Sequence, residues 1–230
     1  MRMSSSNPVF RQVNSYTLAS DRPVTYANVA IKTIILLAVA AISAFLTISN
    51  LESINIGWII GAMIIAFLAV IIGSRSVRLA PVFSVIYAAA EGLVLGLVSV
   101  LYTTYYGNDI VPTAIATTFV VFIVMLLLFS TNIIKVNQKF ASFMVVALIS
   151  VIIMSLISIF FNIGELYYIV VFISAALSAF FLLLDFQRIK DFVESGADHR
   201  VGWILSLGLM VTVVWIYVEM LRLLAITSRR

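Results

Sequence analysis

Seven apolar runs, each near the length a helix needs to cross a bilayer, constrain this chain more than any other feature. They lie at about 27–48, 55–73, 80–104, 110–129, 140–161, 165–185 and 203–226. The hydrocarbon core of a membrane is spanned by ~20 helical residues. The connectors are short and carry breakers: Ser49-Asn50, Gly73-Ser74, Gly107-Asn108-Asp109, Asn137-Gln138 and Asn162-Ile163-Gly164. Only the sixth connector, about 186–202, is expected to be longer and strongly charged. The pattern predicts an all-α membrane protein, a seven-transmembrane-helix bundle. Its expected parts are a polar cytosolic tail over 1–26, one transmembrane domain over 27–227 and a short end at 228–230. No internal repeat is strong enough to define inverted halves.

Composition agrees. Hydrophobic residues make up 63% of the 230, and only 10% are charged. Soluble domains carry ~25% charged residues, so the lipid bilayer must cover most of this surface. The net charge of +4 does not point to nucleic acid, because the basic residues sit between the apolar runs and set topology. With the N-terminus inside, the cytosolic segments hold Arg2, Arg11, Arg22, Arg75, Arg78, Lys135, Lys139, Arg188, Lys190 and Arg200. The outer loops hold only Glu52, Asp109 and Glu165, while Arg229 and Arg230 count against the rule. The first run begins late and is longer than a signal-peptide core of ~7–15 residues, so it reads as a retained helix. The expectation is a multi-pass protein of the plasma (inner) membrane with a cytosolic N-terminus.

Several chemistries are excluded by residue type. There is no cysteine, and the one histidine, His199, lies in a charged connector where it reads as solvated. An intramembrane serine protease needs a histidine base within the membrane. A retinal Schiff base needs a lysine in the last span, which has none. No phosphate loop occurs. No enzymatic activity, cofactor or firm metal site is expected.

The informative residues are ionisable groups inside the spans, where a charge at mid-bilayer costs at least ~2.5–3.5 kcal/mol. They are Glu91, Asp185 and Glu219, with Arg222 deep in the last span. At ~100° per residue, the third span aligns Ser84, Tyr87, Glu91, Ser99 and Tyr102. The sixth aligns Tyr167, Ser174, Ser178 and Asp185, and the seventh aligns Gly208, Thr212, Trp215, Glu219 and Arg222. These stripes are expected to converge inside the bundle. Two readings stand: the serines can serve as interhelical hydrogen-bond glue, or the stripes can line a wet path. Glu91, with no basic neighbour in sequence, favours the path. Glu219 and Arg222 at i, i+3 can be a structural ion pair. Asp185 ends the sixth span on the side where Arg75 and Arg78 follow the second, so a carboxylate–guanidinium pair could close a cytosolic mouth. Gly57 with Gly61, and Gly92 with Gly96, fit close helix packing.

Four segments together resemble bacterial Bax inhibitor-1 (YccA-like) membrane proteins. They are Ser6–Arg11, Tyr87–Ser99, Phe181–Ile189 and Trp215–Leu224. The resemblance runs nearly end to end. It implies a seven-helix bundle with the last helix central. It also implies a pH-sensitive calcium leak, controlled in some members by two aspartates and a latch arginine near the cytosolic side. Asp185 matches the first aspartate. The second falls near Thr212, which cannot supply a carboxylate, and the latch would be Arg75 or Arg78. Some members are linked instead to restraining a membrane protease.

The reading that follows is a pH-sensitive cation leak, with Ca2+ the favoured ion. Asp185 with Arg75 or Arg78 would form the gate and pH sensor. Glu91, Thr212 and Glu219 would line the path. The alternatives are a non-conducting regulator that binds a membrane protease complex, and a proton-coupled transporter that uses Glu91 as the proton carrier.

Overall fold

Local capping sets several helix starts. The Thr25 hydroxyl accepts the Asn28 amide, Asn55 Oδ1 accepts those of Gly57 and Trp58, and Asn137 Oδ1 accepts that of Phe140. Each satisfies amides that a first turn leaves without helical partners. The computed structural model describes residues 22–53, 55–161 and 164–228. Most of the polar tail, including Arg2, Arg11 and the Ser6–Arg11 segment, lies outside the described residues, as do Arg229 and Arg230.

Among the described residues there are seven helices long and apolar enough to cross a membrane. They are α1 (Tyr26–Ser49), α2 (Ile56–Arg75), α3 (Ala80–Tyr106), α4 (Ile110–Ser130), α5 (Gln138–Phe160), α6 (Leu166–Glu194) and α7 (Val201–Ser228). A short 3-10 turn, Leu51–Ser53, precedes α2. The turn after α3 passes through Gly107 at φ +95°, a left-handed conformation that glycine adopts without a steric penalty. Thr33, Thr47, Ser99, Thr103 and Thr118 each return their hydroxyl to the carbonyl four residues back. No hydroxyl of this set is left unsatisfied in an apolar setting.

The sixth boundary differs from the sequence expectation. α6 does not stop near Asp185 but runs on to Glu194, leaving a connector of only 195–200. Phe186 and Ile189 are buried at i, i+3, and Lys190 pairs with Glu194 at 3.9 Å across one turn. Charge density marks where lipid must end, whereas helical hydrogen bonding continues as long as one face has something to pack on. The helix stops where Gly196 takes φ +67°.

The chain divides into two compact units, and three helices contribute residues to both. The first holds Met1–Val94 with Arg188–Gly208. In it α1 and α3 meet closely at Gly92, where an added Cβ would lie 2.3 Å from the Ala40 carbonyl oxygen. The Ser43 hydroxyl donates to the Ala89 carbonyl at 2.6 Å beside that contact. Gly57 and Gly61 do not pack in this way. A methyl on Gly61 would have nothing within 4 Å, and one on Gly57 would meet only Asn55 of its own cap.

The second unit holds Leu95–Gln187 with Leu209–Arg230. One cluster of buried residues in it gathers Ile110, Ala114, Leu221 and Ala225, and another gathers Met144, Val151 and Leu177 with Phe181 and Trp215 packed against them. α7 is the most enclosed helix and α5 the least. α5 therefore presents mostly lipid-facing side chains such as Phe143, Val146 and Ile153.

Candidate functional site

α7 places its polar residues at spacings of three and four, which brings Thr212, Trp215, Glu219 and Arg222 near one helical face. Glu219 is 1% exposed. Its Oε1 accepts three hydrogen bonds: from Ser174 Oγ of α6 at 2.8 Å, Trp215 Nε1 at 3.1 Å and Arg222 Nη1 at 3.1 Å. Its Oε2 is buried with no hydrogen-bond partner among the described residues. A buried carboxylate survives in such a place only when charge and donors compensate its lost hydration. Arg222 supplies the charge, and Ser174 and Trp215 supply the remaining donors.

Two turns earlier in α7, Thr212 is buried and donates its hydroxyl to Asp185 Oδ2 at 2.5 Å. Asp185 itself is half-buried on α6. A threonine here lets the pair hold one negative charge without the mutual repulsion that two facing carboxylates would bring. Further along α3, Ser99 Oγ and Tyr217 Oη lie 2.7 Å apart, a second polar tie to α7. So the second unit brings together Glu219 with Arg222, and Asp185 with Thr212. Tyr167, on the same stripe as Ser174, is exposed.

Glu91 belongs to the first unit. It is half-buried midway along α3, one turn past the buried Tyr87. Among the described residues no hydrogen bond or ion pair reaches its carboxylate. Arg75 is the last residue of α2 and Arg78 lies in the turn that follows, both exposed.

Sequence reasoning missed Lys32. It lies in α1 and is only 8% exposed. Its ammonium donates to Asn28 Oδ1 at 2.9 Å and to the His199 carbonyl at 2.7 Å, and stands 5.2 Å from the centre of the Trp203 ring. The available signal was a basic residue inside an otherwise uncharged first run. His199, expected to be solvated, is half-buried, with its Nδ1 3.4 Å from Asp198 Oδ1.

Among the described residues, seven helices long and apolar enough to cross a membrane, with the Glu219 carboxylate buried, define a multi-pass helical membrane protein in contact with the lipid bilayer. The model of the family described as Bax inhibitor 1 like matches residues 7–229, nearly the whole chain. The protein belongs to that family, as the Tyr87–Ser99 and Trp215–Leu224 segments imply. No curated protein matches it.

Proposed function

We propose that this protein is a pH-sensitive cation leak that favours calcium, in a plasma membrane with its N-terminus in the cytosol. The observation that carries the reading is Glu91, a half-buried carboxylate in the middle of a membrane-spanning helix with no hydrogen bond or ion pair among the described residues. An intramembrane charge of that kind ordinarily faces a water-filled cavity or an ion path. Carboxylate oxygens are hard ligands suited to calcium.

In this reading Asp185, held by Thr212, is the gate residue, and protonating it removes the charge on which the gate depends. Glu219 serves the ion pair with Arg222, whose guanidinium joins Ser174 and Trp215 in holding its Oε1.

The test is calcium flux into vesicles reconstituted with the full chain. Wild type should dissipate a calcium gradient, Glu91→Gln should slow it, and Asp185→Asn should change its pH dependence. Flux indifferent to both substitutions sinks the assignment. Flux that requires a co-substrate assigns Glu91 to proton-coupled transport instead.

A second reading, a non-conducting regulator that binds a membrane protease, is favoured by a different observation. Arg22–Val24 and the connector at Ala197–His199 are joined by backbone hydrogen bonds, which hold the exposed Arg22 and Pro23 beside the charged connector. Co-purification of a protease complex with vesicles that show no flux would select this reading.

A further inference from the structure

We infer that Tyr87 and Glu91 together form one cation-binding station on α3, in which the carboxylate supplies the charge and the phenol oxygen a second, neutral ligand. The station rests on the leak reading above for its role in flux, and not for its binding of an ion.

The two residues share a face of the helix. α3 buries Ala80, Ser84, Tyr87, Ala88 and Ser99, and exposes Val82, Val85, Ile86 and Ala89. At ~100° per residue Glu91 lies ~40° from Tyr87 and nearly opposite Val82 and Ala89, so it turns away from the lipid-facing side. Four residues of helix set the two Cα atoms ~6 Å apart along the axis. Helical side chains lean toward the N-terminus, which tips the Glu91 carboxylate back over Tyr87. The two groups are close enough to interact electrostatically.

Neither group finds a hydrogen-bond partner within the protein. Tyr87 is 5% exposed, yet no hydrogen bond among the described residues reaches its hydroxyl, just as none reaches Glu91. A buried hydroxyl without a partner is unfavourable, and phenylalanine would fill the same volume without that cost. Nor is either group sealed in dry protein. Among the described residues, the fully enclosed side-chain atoms that lack a partner are His199 Nδ1 and Glu219 Oε2. The Tyr87 hydroxyl and the Glu91 carboxylate therefore both border open space. Such a space, on the side away from lipid, suits a ligand that is positively charged and takes oxygen donors. Two oxygens replace only part of the ~6–8 that surround a hard cation such as calcium, so a bound ion keeps water and stays exchangeable.

The experiment uses the full chain in nanodiscs of zwitterionic lipid, with terbium(III) alone as the probe. Bound terbium is counted by equilibrium dialysis against empty nanodiscs, and tyrosine-sensitised emission reports whether the ion sits beside a ring. Wild type should bind terbium, emit, and release the ion to calcium. Tyr87→Phe should weaken binding at least threefold and dim the emission. Glu91→Gln should weaken binding at least tenfold, and the double variant should bind no more weakly than Glu91→Gln, because both groups hold one ion. Glu91→Ala stands in if the glutamine variant does not fold. Binding and emission equal to wild type in Tyr87→Phe overturn the phenol as a ligand. Binding equal to wild type in Glu91→Gln, or no binding by wild type, overturns the station. In the vesicle assay the calcium concentration that half-saturates flux should rise at least threefold in Tyr87→Phe, and an unchanged value in a conducting protein overturns the role of the phenol in the path. A wild type without flux refutes the leak reading and leaves the station to the terbium result.

Discussion

Thr212 and Asp185 are 27 residues apart in sequence and joined by a hydrogen bond in which the threonine hydroxyl donates to the carboxylate. The pair ties α7 to α6 with one charge between them. Thr212→Val keeps the shape and removes the donor. Stability should fall by about 0.6–1.7 kcal/mol, from the average to the maximum for interhelical side-chain bonds in a membrane bundle. Thr212→Ser should restore most of it. Unfolding of the two variants in detergent by denaturant titration gives the comparison, and equal stability of valine and wild type would contradict it.

Glu219 and Arg222 should respond unequally to loss of the partner. Arg222→Met strips the counter-charge from a carboxylate that is 2% exposed in its side chain, and should cost about 3–5 kcal/mol. Glu219→Gln leaves a guanidinium that is 42% exposed and can extend toward the interface, so its cost should be about 1–2 kcal/mol. The ordering is the test: a glutamine variant less stable than the methionine variant would contradict this account.

The glycines divide by what surrounds them. Gly92→Ala drives a methyl into the Ala40 backbone and should destabilise by about 1–3 kcal/mol. Gly61→Ala enters open space and should change stability by under about 0.5 kcal/mol, as surface substitutions do. Thermal unfolding of the two single variants side by side decides it.

Ser99 and Tyr217 form a tie that can be isolated by a double-mutant cycle. Ser99→Ala and Tyr217→Phe each remove one hydroxyl of the 2.7 Å pair. Their coupling energy should be about 0.6 kcal/mol or more. A cycle that closes to zero would mean that the two hydroxyls act independently.

The seven spans were legible in the sequence because hydropathy and the residues that cap helices act over a single turn or a single crossing. Glu91, Asp185, Glu219 and Arg222 stood out for the same reason, since a charge within an apolar run needs no neighbour to be noticed. The pairing of Glu219 with Arg222 was legible as well, because i, i+3 residues share a helix face whatever the fold. Lys32 was overlooked, and its partner could not have been named from the chain, because His199 comes 167 residues later.

Sequence by itself therefore determined the number of crossings, their approximate ends and the residues too polar to face lipid. Tertiary structure decided which face of each helix is enclosed, why Gly92 is tightly packed while Gly61 is open, why α6 outlasts its apolar run, and which donors gather on one oxygen of Glu219. The reason is that lipid tails and helix interiors are equally apolar. A leucine carries no mark of which one it will meet, and only the packed neighbours supply that difference.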